Sequence, residues 1–469
     1  MYSRNDRKDS DRNQLLGRYE AVVQDGGNAY FEENDFQALL DHFEEEQELD
    51  KAMQVVDMAL EQHRHAASLH YRKARLLAEQ GDIQAAQASL HLAEVMGGED
   101  LDVLLLKADI LSATGRHGEA LQVLDGLKGT KDAVELSDVY LAEAAVQEDK
   151  ADYAAMFLAL KKAIGADVDN RVAFERMWFC VEMGRKFEES AAFHKKLLKK
   201  HPFTFMAWYN LGQAKFELGH YAEALNAFEY AFLNNEEFSY AYYGCIDTCL
   251  VMEDYARALQ YCQEAMDALG ANADLYCRMG HCHENLKDFQ AAKQCFLDAI
   301  REEPEQAEAH RSLGECYFAL GEWLPALHSF EAAVQFDGQN ETHLVALGET
   351  AYRLGKMDDA EAAFLKAVAK SPDAIECWMQ LVAFYLAVGK PERAMEAVAE
   401  AKVSCPESTD LDYCEVAALF ATGQRQEAKS RLVQALTGHP QGHELLFDLE
   451  PTLRNDPEVV YLVALGVGK

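Results

Sequence analysis

Residues 208–231 read Trp208-Tyr209-Asn210-Leu211-Gly212-Gln213-Ala214-Lys215-Phe216-Glu217-Leu218-Gly219-His220-Tyr221-Ala222-Glu223-Ala224-Leu225-Asn226-Ala227-Phe228-Glu229-Tyr230-Ala231. Trp208, Leu211, Gly212, Lys215 and Phe216 follow the three-and-four spacing of one helical face. Leu218-Gly219-His220 interrupts that period with a glycine suited to a left-handed cap. Tyr221, Ala224, Leu225, Phe228 and Ala231 then resume it. The stretch predicts two helices joined by a tight turn. Gly212, Ala224 and Ala231 are small, so the two backbones can approach closely while the larger side chains interdigitate around them.

The pattern returns every 34 residues, in phase from Arg171 to Gly442. Glycine recurs at the eighth place as Gly212, Gly280, Gly314 and Gly348, with Ala74 and Ala108 in earlier copies. Alanine at the twentieth place recurs ten times, from Ala52 to Ala428, and alanine at the twenty-seventh recurs from Ala59 to Ala435. A closing proline appears as Pro202, Pro304, Pro372, Pro406 and Pro440, where it ends the second helix. This resembles the tetratricopeptide repeat family, whose Trp, Leu-Gly, Tyr, Ala, Phe, Ala and Pro lie at these offsets. The resemblance covers nearly the whole chain. It implies an all-α fold: an α-solenoid of about twelve helix–turn–helix repeats forming a right-handed superhelix.

Composition bounds the function classes. The chain has 469 residues, 49% of them hydrophobic, and Lys plus Arg 44 against Asp plus Glu 80 leave a net charge of −36. A compact chain of this length divides into roughly three domains; a solenoid need not, because each unit buries its face on its neighbours. The acid repels phosphate backbones, which argues against nucleic acid as a general partner, and it attracts basic peptides. The same charge also keeps a large surface soluble. No apolar leader follows Met1. The longest apolar stretch, Val459–Val467, is far short of the ~20 residues of a membrane span. Eleven cysteines without a paired framework fit a reducing compartment. The expectation is a cytoplasmic protein with no membrane insertion.

In chain order, residues 1–32 read as a polar arm to about Asn13 followed by a capping helix (Leu15, Leu16, Tyr19, Val22, Val23) ending at Gly26-Gly27. Twelve repeats occupy 33–442. The third, Leu101–Leu136, is two residues longer, and Gly126, Gly129 and Thr130 mark its exit as the loosest joint. The fifth, Arg171–Thr204, carries Trp178 where a small residue is expected, so its helices must splay or re-register. Asp254 and Asp288 stand where a carboxylate caps a second helix, and Pro391 stands where a missing N–H costs nothing. Residues 443–469 read as two short capping helices broken at Pro451 and Asn455–Pro457. The apolar Val459–Val463 segment reads either as a tucked cap or as a self-association surface.

In the family resembled, the first helices of successive repeats line a groove, into which the second, fifth, ninth, twelfth and thirteenth places point. Carried over, these places give Phe179, Tyr209, Gln213, Phe216, Tyr240, Tyr243, Asp247, Cys277, His281, Glu284, Arg311, Glu315, Phe318, Glu349, Tyr352, Arg353, Met379, Tyr413 and Phe420. Aromatics would supply contact area, and the carboxylates between them would select Lys or Arg. Any one ring fits equally well as packing between adjacent repeats. The subset of the family that clamps a chaperone's C-terminal carboxylate needs convergent Lys/Arg and Asn pairs. The equivalent pairs, Glu175/Phe179, Tyr209/Gln213, Tyr243/Asp247, Cys277/His281 and Arg311/Glu315, do not supply them. An asparagine ladder at the sixth place also fails, since only Asn210 occupies it.

Cys245 and Cys249 lie one helical turn apart with Cys262 on the paired helix, and Cys282, Cys295, His281 and His283 follow. Zinc is one reading of this cluster; core packing is the other, because these are places that other copies fill with core residues and no Cys-x-x-Cys knuckle exists. No phosphate loop, HExxH or Gly-x-Ser-x-Gly occurs, and the repeats leave no stretch for a catalytic domain. The reading is a non-enzymatic adaptor or scaffold with no cofactor and no metal, which binds a protein segment with basic and apolar residues. The alternatives are a self-associating rod, including a homodimer, through the C-terminal tail, and a metal-binding protein.

Overall fold

A computed structural model describes residues 4–25, 29–97 and 100–467. Among them are 27 α-helices, two short 3-10 turns and no strand. The chain divides into two units, Met1–Gly244 and Cys245–Lys469. The first holds α1 (Arg4–Asp25), α2 (Glu33–Glu45), α3 (Leu49–Gln62), α4 (Ala67–Glu79), α5 (Ile83–Val95), α6 (Leu101–Ala113), α7 (His117–Leu127), α8 (Ala133–Asp149), α9 (Tyr153–Ala166), α10 (Arg171–Gly184), α11 (Phe187–Leu198), α12 (Phe205–Glu217) and α13 (Tyr221–Asn234). The boundary falls inside α14 (Ser239–Val251). The second unit continues with α15 (Tyr255–Leu269), α16 (Ala273–Asn285), α17 (Phe289–Glu302), α18 (Ala307–Ala319), α19 (Trp323–Phe336), α20 (Glu341–Arg353), α21 (Met357–Lys370), α22 (Ile375–Ala387), α23 (Pro391–Ser404), α24 (Asp410–Ala421), α25 (Arg425–Gly438), α26 (His443–Leu449) and α27 (Pro457–Val467).

Within each unit consecutive helices pack as antiparallel hairpins, and each hairpin stacks on the next. Volume matching sets their spacing. A Cβ added at Gly212 would stand 2.6 Å from the Phe228 ring, and one at Gly280, Gly314 or Gly348 would stand 2.5–2.9 Å from Phe296, Phe330 or Phe364. The glycine of the first helix is thus the seat of the aromatic on the second. Where that glycine is alanine, as at Ala74, Ala108 and Ala144, the facing residue is the smaller Leu90, Leu124 or Leu160, in the same buried clusters. One gap is filled with different divisions of the same volume, as dense packing requires.

The turn between paired helices needs one left-handed residue. Gly81, Gly115, Gly219, Gly321, Gly355, Gly389 and Gly423 provide it with φ from 71° to 81°. Gln47, Ala151, Arg185, Glu253 and Lys287 take the same conformation with a Cβ, at φ 50° to 62°. Asp254 and Asp288 cap α15 and α17 by accepting from the Arg257 and Ala291 amides, and Pro391 opens α23.

Two places depart from the sequence reading, and a third follows it. The stretch expected to be an irregular arm is helical from Arg4, while Met1–Ser3 lie outside the described residues. Nothing between Arg4 and Gly17 is a glycine or proline, so no residue there breaks a helix begun by Leu15, Leu16 and Tyr19. The turn expected at Gly26-Gly27 also lies outside the described residues. The two extra residues of the third copy do not loosen its exit. They lengthen α8, which starts at Ala133 under an Asp132 cap that accepts from the Val134 and Glu135 amides at 2.8 and 3.2 Å. In the fifth copy the splay expected from Trp178 is present. α10 leans on α9 and α12 and scarcely touches its own partner α11. The indole stands against Phe187 of α11 at 6.2 Å between centroids.

Tyr19 of α1 is buried against Phe43, and Leu15, Leu16 and Val22 pack on the same cluster. At the other end Leu446, Phe447, Leu453, Val459 and Val463 close over Leu432 and Leu436 of α25.

Candidate functional site

The residues expected to line the groove fall into two sets, one in each unit. In the first unit Tyr209, Gln213 and Phe216 occupy one row of α12. Tyr209 is half-buried, with its ring 5.1 Å edge-on to Phe238 and 6.2 Å from Tyr240. The Gln213 amide donates to the Tyr209 hydroxyl at 3.1 Å. Phe216 lies edge-on to Tyr221 at 5.5 Å. Tyr240 is 64% exposed and touches Phe238, while Tyr243 is half-buried. Phe179 is 40% exposed and meets Tyr153 edge-on. Phe238, which ends the turn before α14, joins Tyr209 to Tyr240. The offset pattern missed Phe238, because it belongs to the connection and not to a first helix.

In the second unit the expected residues form charge pairs along first helices. Asp247 pairs with Arg278, whose Nε also reaches Asp274 at 3.0 Å. His281 Nδ1 is 2.9 Å from Glu284, and its ring lies on Phe296. Arg311 sits between Glu308, 3.0 Å from its Nε, and Glu315. The hydrogen bond from Arg311 holds the Glu308 carboxyl below its ordinary range, whereas burial raises that of Glu315 in spite of the same guanidinium. Arg353 reaches Glu349 at 3.6 Å and lies over the Phe318 ring, which is itself edge-on to Trp323. Tyr352 packs edge-on to Phe384. These carboxylates are therefore engaged within the chain.

Cys277, Tyr413 and Phe420, carried over by the same offsets, do not face out. Cys277 is buried and donates to Gln306 at 3.4 Å. Tyr413 is fully buried and Phe420 nearly so, because α26 folds over α24 and covers the face that is open in the preceding copies.

The same offsets applied to the earlier copies reach carboxylates that the sequence reading left out. Glu44 stands 3.2 Å from Arg72 Nε and also pairs with Arg75, and Glu148 pairs with Arg176. Asp109 and Asp138 are less well balanced. Asp109 is exposed, yet the surrounding protein raises its carboxyl above the ordinary range, with the Arg176 guanidinium opposing the rise and the smaller effect of the Asp149 charge adding to it. Burial and the charges of Asp167 and Asp102 raise Asp138. A scan starting at the first repeat at the same places would have found them.

Cys245, Cys249, Cys262 and Cys282 are buried in the core of their hairpins. Burial pushes the Cys262 thiol up to about 12 and those of Cys282 and Cys295 up to about 11, which favours the protonated thiol over the thiolate a metal needs. Among the described residues no three His, Cys, Asp or Glu side chains converge as a metal site, and no helix is long and apolar enough to cross a membrane.

The sequence profile of the tetratricopeptide repeat matches residues 71–133, 209–273, 278–341 and 342–409, together more than half of the chain. No curated protein sequence is significantly similar to it. Among solved structures, YrrB, a TPR protein with an unusual peptide-binding site, is 21% identical over 39% of this chain and 95% of its own, with a TM-score of 0.34. The structure of the APC/C hetero-tetramer Cut9–Hcn1 contains a chain 14% identical over 89% of this chain and 97% of that one, with a TM-score of 0.38. A tetratricopeptide repeat protein from Parabacteroides merdae is 16% identical over 52% of this chain and 97% of its own, with a TM-score of 0.36.

Proposed function

Because the chain belongs to the tetratricopeptide repeat family, whose repeats serve as protein-interaction modules, we propose that it is an adaptor holding a segment of another protein against the first helices of its first unit. The observation that carries this reading is the ring cluster Tyr209–Phe238–Tyr240, whose outer member Tyr240 is 64% exposed on a first helix. Exposed aromatic rings already fixed by neighbouring rings lose little entropy on binding, which suits them as anchors. Asp138, which faces Asp167 and Asp102, and Asp109, which lies near Asp149 and the Arg176 guanidinium, add the preference: a Lys or Arg on the partner supplies countercharge. The paired carboxylates of the second unit offer less, since a partner's cation must displace an internal one. Of the groove residues, Asp247 is accordingly assigned to joining α14 to α16 through Arg278, while His281, Arg311, Glu315, Glu349 and Arg353 are paired along their own first helices, with Phe318 and Tyr352 packed among them.

The test is affinity capture from lysate of the native source with wild type beside two variants, Phe179→Ser/Tyr240→Ser and Asp109→Asn/Asp149→Asn. A protein held by wild type and lost by the ring variant supports this binding face. Loss with the Asp variant as well supports the basic partner. Equal capture by all three removes the reading.

A second reading rests on α27. Its inner residues Val459 and Val463 are buried, but Val460, Tyr461 and Leu465 present 44–64% of their surface outward. That row would serve self-association. Light scattering of Tyr461→Asp/Leu465→Asp against wild type decides it, with a monomeric wild type removing the idea.

A further inference from the structure

We propose a second binding site, outside the first-helix face, for a short acidic peptide segment carrying one apolar side chain. It lies where α11, α12 and α13 meet. Residues 190–216 contain five lysines and no aspartate or glutamate, in a chain with 80 acidic residues. Four of the five, Lys195, Lys196, Lys199 and Lys200, cluster at the end of α11 and the turn that follows it. All four are exposed, and among the described residues none forms an ion pair with a carboxylate. Cations at a helix C-terminus are favourable in themselves, but four in six residues repel one another unless an anion joins them.

Beside them is a cavity of about 370 Å³. Its floor is apolar: Leu198, Leu211, Trp208 and Tyr230. Trp208 and Tyr230 stack at 4.6 Å between centroids, and the indole N–H donates to the Pro202 carbonyl at 2.7 Å, so both rings are held in place and the indole's polar edge is satisfied. Lys195, Lys199 and Lys215 stand on the rim. Glu223 also lines the cavity and is ion-paired with Lys215 at 3.0 Å; it feels the charge of Lys195 but forms no ion pair with Lys195 or Lys199. Trp208, Leu211 and Lys215 lie on the row of α12 adjoining Tyr209, Gln213 and Phe216, so none of the residues assigned to the groove lines this cavity.

An apolar floor under a cationic rim fits a Phe, Leu or Trp side chain flanked by carboxylates or phosphorylated residues. It fits a long polyanion less well, because beyond these lysines the chain's negative charge repels DNA, RNA or an anionic membrane. Repeat stacking places the site: α11 packs on α12, as α17 packs on α18, and this brings the lysines of α11 beside Trp208.

The experiment uses fluorescence anisotropy on the full chain with a labelled peptide of alternating Asp and Glu around a central Phe. Comparison probes are the same peptide with central Ala, its Lys-flanked counterpart, oligothymidine, and vesicles of phosphatidylcholine with phosphatidylserine. A phosphoserine-flanked version separates phosphate from carboxylate recognition. The acidic Phe peptide should bind saturably, lose affinity about tenfold with Lys195→Glu/Lys199→Glu, weaken with central Ala, and bind Phe179→Ser/Tyr240→Ser unchanged. Both lysines are exposed, so circular dichroism should show the charge variant folded as wild type. No saturable binding, equal binding by the lysine variant, or tighter binding of vesicles or oligothymidine overturns the proposal. Self-association of wild type that the lysine variant abolishes also overturns it, by assigning the patch to a second copy.

Discussion

Gly280 and His194 show how far single residues carry this fold. A methyl at Gly280 would stand 2.5 Å from the Phe296 ring, which is fully buried and has no room to retreat. Gly280→Ala should cost about 1–3 kcal/mol by overpacking. Adding Phe296→Leu should recover much of that, because Ala with Leu is the division used at Ala74 and Leu90. A double-mutant cycle by urea denaturation measures the coupling, and simple additivity would count against the volume match. His194 occupies the place of Phe296 in the splayed fifth copy. It is fully buried, its Nδ1 donates to the Ser190 carbonyl at 2.9 Å, and its Nε2 has no hydrogen-bond partner among the described residues. Burial pushes it down to about 4 from 6.5. The unfolded chain therefore takes the proton first. This stabilisation is complete above pH 6.5 and is lost as pH falls from 6.5 through 4, by up to roughly 3 kcal/mol. His194→Leu should flatten that part of the stability–pH curve, while other titrating groups act alike in both proteins. Denaturant midpoints between pH 7.5 and 5 that shift in parallel would contradict the assignment.

Helices here are ended by turns of one geometry, and the residue in the left-handed position varies where the geometry does not. Lys287 pays the steric cost of that conformation with an exposed side chain. Lys287→Gly removes a strain of ~1–2 kcal/mol and adds unfolded-chain entropy of ~0.5–1 kcal/mol, so a net gain of up to about 1.5 kcal/mol is expected. The melting temperature should rise, whereas Lys287→Ala should leave it nearly unchanged. The helices themselves were legible because their faces repeat. The first helices at Arg171, Phe205, Ser239, Ala273, Ala307, Glu341 and Ile375 begin where the 34-residue phase places them. The helical state of Arg4–Asn13 was not legible, since charged residues without an apolar face leave helix and coil alike in sequence. Nor was the added turn of α8, whose Asp132 cap reads in sequence like any loop aspartate.

At the scale of the whole molecule, stability is shared along the stack, since the clusters around Ala292, Ala86 and Ala120 each span two adjacent copies and the larger ones run continuously through three or four. Ala292→Leu should overpack α16 against α17 by ~1–3 kcal/mol and raise hydrogen exchange there and in α18 more than in α2–α5. A uniform rise would reject the nearest-neighbour picture. The amino-acid sequence alone determined the all-helical repeat fold, the turn positions and the splay at Trp178, because those depend on periodicity and side-chain volume along the chain. It also determined that the protein is strongly acidic. Only the tertiary structure decided which charges are already spent. Asp247 meets Arg278 from the next copy, and Tyr413 is covered by α26, pairings between residues distant in sequence that no local pattern encodes. Only the tertiary structure brought Lys195 and Lys199 to the Trp208–Tyr230 cavity, because the packing of α11 and α13 on α12 joins side chains of three helices that no local pattern pairs.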